Sequence, residues 1–228
     1  MFALISPQGI EYNRHMNLVL KAGALTAVAV GAWCARAAVP PDADVIVTAE
    51  TNGSFTTAAK YGDVQVHVEW REPDFSKVNY SGWARGRAFL YFGDFCKLNF
   101  HDSYKSLDAT WAPASSDRLA GAVTDEHAPL VNASRPWETW QSFDVVFRQP
   151  RWEGTNLVFK GELTAFLNGV LVQDKWAPQG GEGWHSRGKL TKPRSPKMKI
   201  VFSNQTKGFR VRNFWIRELD AGKGEGER

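Results

Sequence analysis

The stretch from Trp137 to Asp174 constrains the fold most. Within it, Phe143, Val145 and Phe147 alternate with Asp144, Val146 and Arg148, and Leu163, Ala165 and Leu167 alternate with Glu162, Thr164 and Phe166. A period of two is what a half-buried strand requires, because successive side chains leave a strand on opposite faces. Asn168-Gly169 then separates two apolar runs, and this pair readily takes the positive φ angles of a two-residue hairpin. The segment reads as three strands of an antiparallel sheet with their turns.

The same alternation recurs elsewhere. In DVQVHVEW (63–70), Val64, Val66, Val68 and Trp70 share one face, while Gln65, His67, Glu69 and then Arg71 share the other. One face enters a core and the other meets water or a ligand. Residues 86–100 read as one or two strands, Ala120–Val123 as a weaker one, and Lys199–Phe202 and Phe209–Leu219 close the series. No amphipathic helix is evident past the first 37 residues. Ten Trp and fourteen Phe fit an all-β core, since aromatic side chains bury large areas and suit strands. Many short strands with Gly, Pro and Asn turns indicate a β-sandwich or jelly roll. Residues 176–197 form a long Gly/Pro/Lys/Arg loop, either the rim of a binding site or plain solvated chain.

Leu18 to Cys34 is apolar apart from Lys21 and ends in Ala35-Arg36-Ala37, a small-x-small cleavage pattern. This reads as a secretory signal peptide, with Met16 a candidate start, and predicts a secreted or periplasmic protein with no membrane span in the mature chain. Expected boundaries are 1–37 for upstream residues and signal, 38–54 for a linker, 55–219 for a single sandwich domain and 220–228 for a polar tail. Cleavage removes Arg14, Lys21, Arg36 and Glu11, so 28 basic and 24 acidic residues become 25 and 23, and the net charge of +4 becomes +2. A charge that small is no warrant for nucleic-acid binding. Only Cys96 then remains, so no intrachain disulfide forms, and no zinc-ligand spacing is present.

Several blocks, in order, resemble one family. They are Tyr61-Gly62-Asp63-Val64-Gln65 through Glu69-Trp70-Arg71, then Asp102-Ser103-Tyr104, HAPLVNASRP (127–136), WQSFDVVFRQPRW (140–152), LNGVLVQD (167–174) and RVRNFWIREL (210–219). Together they resemble the 3-keto-disaccharide hydrolase domain, also described as 3-keto-glycoside lyase/hydratase, of which this chain is a divergent member. The resemblance implies a concanavalin-like jelly roll and action on sugars oxidised at C3. The departures fall on polar positions. Where the family has Asn-Ser-Gly this chain has Arg87-Ala88-Phe89, where it has a Glu and a Gln two apart this chain has Lys97 and Asn99, and where it tends to Gln-Asp-His this chain has Val201-Phe202-Ser203.

The chemistry so implied is removal of the C2 proton beside a C3 ketone, departure of the C1 group and addition of water. It needs a base and donors or cations for the enolate. His67 and Glu69, two apart on one strand, are candidate bases; His101 joins them if it shares their sheet. Lys97 is a candidate for enolate stabilisation, and Asp102 completes the catalytic set. Gln65, Arg71, Asn99 and Arg212 are candidates to bind hydroxyls. A conventional glycosidase would need paired carboxylates, for which Glu69 and Asp102 are the only pair available. The other readings are a non-catalytic sugar-binding or scaffold sandwich, and a partner protein whose basic 176–199 loop meets an anionic surface. The residues assign no metal site, and leave any cofactor, the sugar, its linkage and the oligomeric state open.

Overall fold

Alternation of buried and exposed side chains builds two antiparallel sheets that close on one another. A computed structural model describes residues 38–77, 84–105, 116–180 and 189–220. Residues 1–37, where a leader is expected, the middle of the long loop and residues 221–228 of the tail lie outside the described residues. The strands are β1 (Asp44–Val47), β2 (Phe55–Thr56), β3 (Val64–Arg71), β4 (Ala88–Phe92), β5 (Cys96–Asn99), β6 (Gln141–Arg148), β7 (Arg151–Glu153), β8 (Asn156–Phe159), β9 (Glu162–Leu167), β10 (Val170–Trp176), β11 (Ile200–Asn204) and β12 (Arg210–Glu218). One sheet has six strands in the order β1-β12-β3-β6-β9-β10, the other four in the order β2-β11-β4-β5, and β7-β8 form a separate ribbon. The fold is an all-β jelly-roll sandwich, as the strand pattern predicts. No helix among the described residues is long and apolar enough to cross a membrane.

The core lies between the sheets. Val64, Val66, Val68, Trp70, Phe143, Val145 and Phe147 enter it from β3 and β6; Leu90, Phe92, Leu98 and Phe202 meet them from β4, β5 and β11. Trp70 sits 4.7 Å from both Phe100 and Phe143, ring centroid to centroid, and Phe92 lies 4.9 Å from Phe147. Such contacts tie one sheet to the other at their middle. Trp70→Ala would empty the widest part of this layer, at a cost of about 4 kcal/mol.

The hairpin expected at Asn168-Gly169 is present: Val170 pairs with Leu167, and φ is 54° at Asn168 and 81° at Gly169. Three expectations change. The 137–174 segment holds the three expected sheet strands, β6, β9 and β10, and also the small β7-β8 ribbon, which the alternation did not reveal. Residues 38–54, expected as a linker, contain β1, which pairs with β12 through Asp44–Ile216 and Val45–Trp215. Ala120–Val123 is no strand: only single bridges join Val123 to Leu98 and to His127, because a loop crossing the open edge of β5 borrows its backbone hydrogen bonds without running alongside it.

Candidate functional site

The expected site residues do not converge. His67, Glu69, Gln65 and Arg71 lie on β3 and Arg212 on β12, all on the outer face of the six-stranded sheet. Lys97 and Asn99 lie on β5, on the outer face of the opposite sheet. Asp102 points inward beyond β5. The residues were expected to form one site, and the sandwich core separates them.

On the six-stranded sheet, the polar row is closed on itself. His67 is only 2 % exposed; its Nδ1–H donates to Asp144 Oδ1 at 2.7 Å and its ring stacks on Trp215 with centroids 5.3 Å apart. Its Nε2 stands 3.7 Å from Glu69 Oε1, beyond hydrogen-bond range, so that attraction acts through space. Glu69 accepts from Arg212 Nε at 2.6 Å and from Asn213 Nδ2 at 2.8 Å. Arg212 in turn lies 3.8 Å over the Trp140 ring. Asn213 reaches Glu69 because β12 bulges there: the register slips between Arg212 and Trp215, and Asn213 takes φ 46°.

Burial alone would lower the His67 pKa, but the Asp144 and Glu69 carboxylates outweigh it and hold it up at about 9. Burial would raise Glu69, yet His67, Asn213 and Arg212 hold it down at about 2. At neutral pH the histidine is an imidazolium and the carboxylate is fully committed to donors. Neither can accept a proton readily. Arg71 pairs with Glu50 at 3.1 Å, and Gln65 accepts from Arg217 at 3.4 Å. The polar face expected to meet a ligand is a structural ion network.

Asp102 is 1 % exposed and accepts on Oδ2 from Arg85 at 3.1 and 2.8 Å. Arg85 is held over the rings of Phe75 and Trp137 at 4.6 and 5.1 Å. Next to them Glu72, 2 % exposed, has no hydrogen-bond partner on either carboxylate oxygen. Burial first, and then the charge of Asp102, push Glu72 well above the usual carboxylate range, with Arg85 opposing. Asp102 is committed to Arg85, and neither carboxylate lines the space around Lys97.

The outer face of the four-stranded sheet is different. Two cross-strand rows cover it: Ser203–Phe89–Asn99 and Val201–Tyr91–Lys97, read from β11 through β4 to β5. Arg87 and Gln205 close one end. Over the free edge of β5 passes the 118–127 loop, held by Thr124 N–H to the Lys97 carbonyl at 3.0 Å and Asn99 N–H to the Ala122 carbonyl at 2.9 Å. It delivers Arg118, Thr124 and Asp125, with Arg118 paired to Asp125. These rows and the loop enclose a cleft of about 80 Å³. Of the departures from the expected family pattern, Arg87, Phe89, Lys97 and Asn99 line this cleft and Val201 and Ser203 lie on the same face outside it, whereas Ala88 and Phe202 enter the core.

Within the cleft, Lys97 Nζ lies 5.5 Å over the Phe89 ring. Burial pulls its pKa below the usual lysine range; Asp125 opposes, and Arg118 and Arg87 add to the depression. His101 continues the Lys97–Asn99 row past the end of β5, is 3 % exposed, and has no hydrogen-bond partner for Nε2. Burial, with Arg85, Arg118 and Arg87 adding to it, holds its pKa at about 4, so it is a neutral imidazole at pH 7. His101 therefore sits with Lys97, not with His67. Asn99 is less available: its Nδ2 donates to the Arg118 carbonyl at 2.6 Å and its Oδ1 accepts from His101 N–H at 3.1 Å, so both ends of the amide hold the backbone.

A second groove, of about 250 Å³, runs past Arg71, Glu72, Asp74 and Arg210. Its charges are largely matched, Lys77 to Asp74 at 2.8 Å and both arginines to Glu50. Among the described residues no group of three or more His, Cys, Asp and Glu side chains is placed to hold a metal ion. Sequence reasoning missed Arg118, Asp125 and Tyr91. The first two come from a loop without periodicity, where no pattern signals which side chains turn inward.

Comparison with known proteins bears on fold and family. The structure is similar to a crystal structure of a candidate glycosyl hydrolase from Parabacteroides distasonis, with TM-score 0.67 and 21% identity over 79% of this chain and 85% of that one. Two other candidate glycosyl hydrolases from the same organism align more loosely: TM-score 0.46 with 16% identity over 73% and 74% of the two chains, and TM-score 0.47 with 15% identity over 78% and 94%. The first likeness shows the sandwich fold alone; the other two carry no weight. No curated protein matches. The sequence profile of the 3-keto-alpha-glucoside-1,2-lyase-like domain matches residues 28–217, which takes in both sheets, the cleft and its loop, and the chain belongs to that carbohydrate-active family.

Proposed function

We propose that this protein cleaves a glycoside whose sugar carries a ketone at C3, and that the reaction takes place in the cleft on the four-stranded sheet. The observation that carries the reading is the meeting there of Lys97, neutral His101 and the cations Arg87 and Arg118, beside Phe89 and Asn99, where the chain departs from the family pattern. A C3 ketone acidifies the C2 proton. His101 Nε2 is the basic atom in the cleft with no competing partner, and it takes that proton. The cations face the charge that develops on the C3 oxygen. The C1–O bond then breaks, the departing alkoxide takes a proton, and water adding across C1=C2 gives the free 3-keto sugar. The sequence is redox-neutral.

The test is incubation of the full chain with methyl 3-keto-glucoside, following released methanol and free sugar, with methyl glucoside as control. Release from the keto sugar alone is expected. Binding by calorimetry with no release would overturn the reaction and leave a sugar-binding sandwich. That second reading is favoured by one observation: the family's paired Glu and Gln are replaced by Lys97 and Asn99, and Asn99 is spent on the backbone.

We also propose export, with cleavage after Ala37. Support comes from the apolar run and its small-x-small end; the family match starts at residue 28, inside that run. N-terminal sequencing of protein recovered outside the cytoplasm is expected to begin at Ala38, and a start upstream of residue 28 would overturn the leader.

A further inference from the structure

We propose that Lys97 is a covalent group, and that its Nζ condenses with the carbonyl carbon of the keto sugar to form an iminium. The proposal rests on the reading above and deepens it. Three features of the cleft point to it. Lys97 leaves the middle of the outer face of β5, directly opposite Tyr91, half-buried and with its amine 5.5 Å from the centroid of the Phe89 ring. Among the described residues, no carboxylate lies within ion-pair distance of Nζ, since the acid of the cleft, Asp125, is engaged by Arg118. Two guanidinium groups border the same small space. A lysine so desolvated, and crowded by other cations, has a larger share of free amine, which is the state that attacks a carbonyl. The depression of its pKa agrees with this.

The steps balance. The Nζ lone pair adds to the carbonyl carbon, a proton passes from nitrogen to oxygen, and the carbinolamine loses water to give the protonated iminium. The iminium draws electrons more strongly than the neutral ketone. A weak base therefore suffices for the C2 proton, and His101, at about 4, is a weak base. Removing that proton gives an enamine; its nitrogen lone pair re-forms the C=N⁺ bond as the C2=C3 pair shifts to C1=C2 and the C1–O pair leaves on oxygen, giving a conjugated iminium and, after protonation, the alcohol. One water hydrolyses the iminium and frees Lys97; a second adds at C1. The condensation released one water, so the net consumption is one, as in any glycoside hydrolysis.

Trapping tests this. The full chain is incubated with methyl 3-keto-glucoside and sodium cyanoborohydride, which reduces an iminium in preference to a ketone, and read by intact mass and peptide mapping. The expected result is one sugar-derived secondary amine on the peptide carrying Lys97, absent with methyl glucoside and absent in both Lys97→Met and Lys97→Arg. Circular dichroism on both variants shows that the sandwich is retained. Lys97→Arg keeps the positive charge, so it separates a covalent role from an electrostatic one: about hundredfold slower release than wild type is expected. Turnover by wild type with no adduct would overturn the iminium while leaving the keto-sugar reading intact. Adducts spread over other lysines, or unchanged in Lys97→Arg, would overturn it too. Neither adduct nor turnover would remove both.

Discussion

On the outer face of the six-stranded sheet, His67 donates to Asp144, and Glu69 takes hydrogen bonds from Arg212 and Asn213. On the outer face of the four-stranded sheet, His101 Nε2 has no hydrogen-bond partner, and Lys97 stands over a ring with no carboxylate at ion-pair distance among the described residues. Both faces carry a histidine and a second ionisable side chain in a row on one strand. The first row is closed by opposite charges and holds its groups in their ionised forms, His67 at about 9 and Glu69 at about 2. The second row is held down first by burial and then by neighbouring arginines, which keep His101 at about 4 and pull Lys97 below the usual lysine range against the opposing charge of Asp125. Ion pairing holds groups in their charged forms, whereas burial beside cations favours their neutral forms. The difference is why the proposed chemistry is placed on the second face.

This contrast breaks first if the Lys97 row proves inert. Lys97→Met is expected to reduce sugar release by about 10²–10⁴, with little change in melting temperature. The converse holds for Glu69→Gln, which leaves Arg212 without its anion and His67 with Asp144 alone. It should cost about 3 kcal/mol in urea unfolding, while release per folded molecule stays within a few-fold of wild type. A rate loss equal to that of Lys97→Met would return Glu69 to the mechanism.

The pH dependence sharpens the comparison further. His67 has a raised folded-state pKa, so its contribution to stability is full below 6.5 and is lost as pH rises through about 9. Glu69 has a depressed one, so its contribution is present above 4.5 and lost as pH falls towards about 2. His101 acts in the opposite sense to His67: its folded pKa lies below the unfolded value of 6.5, so the fold loses stability as pH falls from 6.5 through about 4. Unfolding free energies across pH are expected to lose the alkaline decline in His67→Gln and part of the acid decline in His101→Gln. Identical profiles for the two variants would contradict the contrast.

The smallest effect is expected at Glu72, which belongs to neither row. Its raised pKa makes the fold less stable as pH rises above 4.5, because ionising it puts an unpaired charge beside Asp102. Glu72→Gln should hold or raise stability at pH 8 by about 1 kcal/mol, read by thermal melts. A large loss would mean that the carboxylate is ionised and satisfied.

Much of the scaffold is legible in the chain. The side-chain alternation of β3, β6 and β9, the Asn168-Gly169 turn and the aromatic core follow from local periodicity and turn chemistry. Even the cleft left a trace, since Arg87, Phe89, Lys97, Asn99, Val201 and Ser203 stand where the family pattern differs. What could not be read is which polar rows share a space. Period two says that His67 and Glu69 point the same way from β3, and that Lys97 and Asn99 point the same way from β5. It does not say that β3 and β5 belong to opposite sheets whose outward directions diverge. Nor does it say that Asp144, three strands' worth of sequence away, would pair with His67, or that a 3-10 turn at Ser116–Arg118 and the loop after it would bring Arg118 and Asp125 over β5.

The sequence by itself determined the strands, their buried faces and the family, because each of these depends on side-chain spacing along a single element. Only the tertiary structure decided which of the candidate residues share a space and which are ion-paired. That depends on the charges and walls supplied by other strands and loops: the same histidine chemistry is held near 9 beside carboxylates and near 4 by burial with arginines close by.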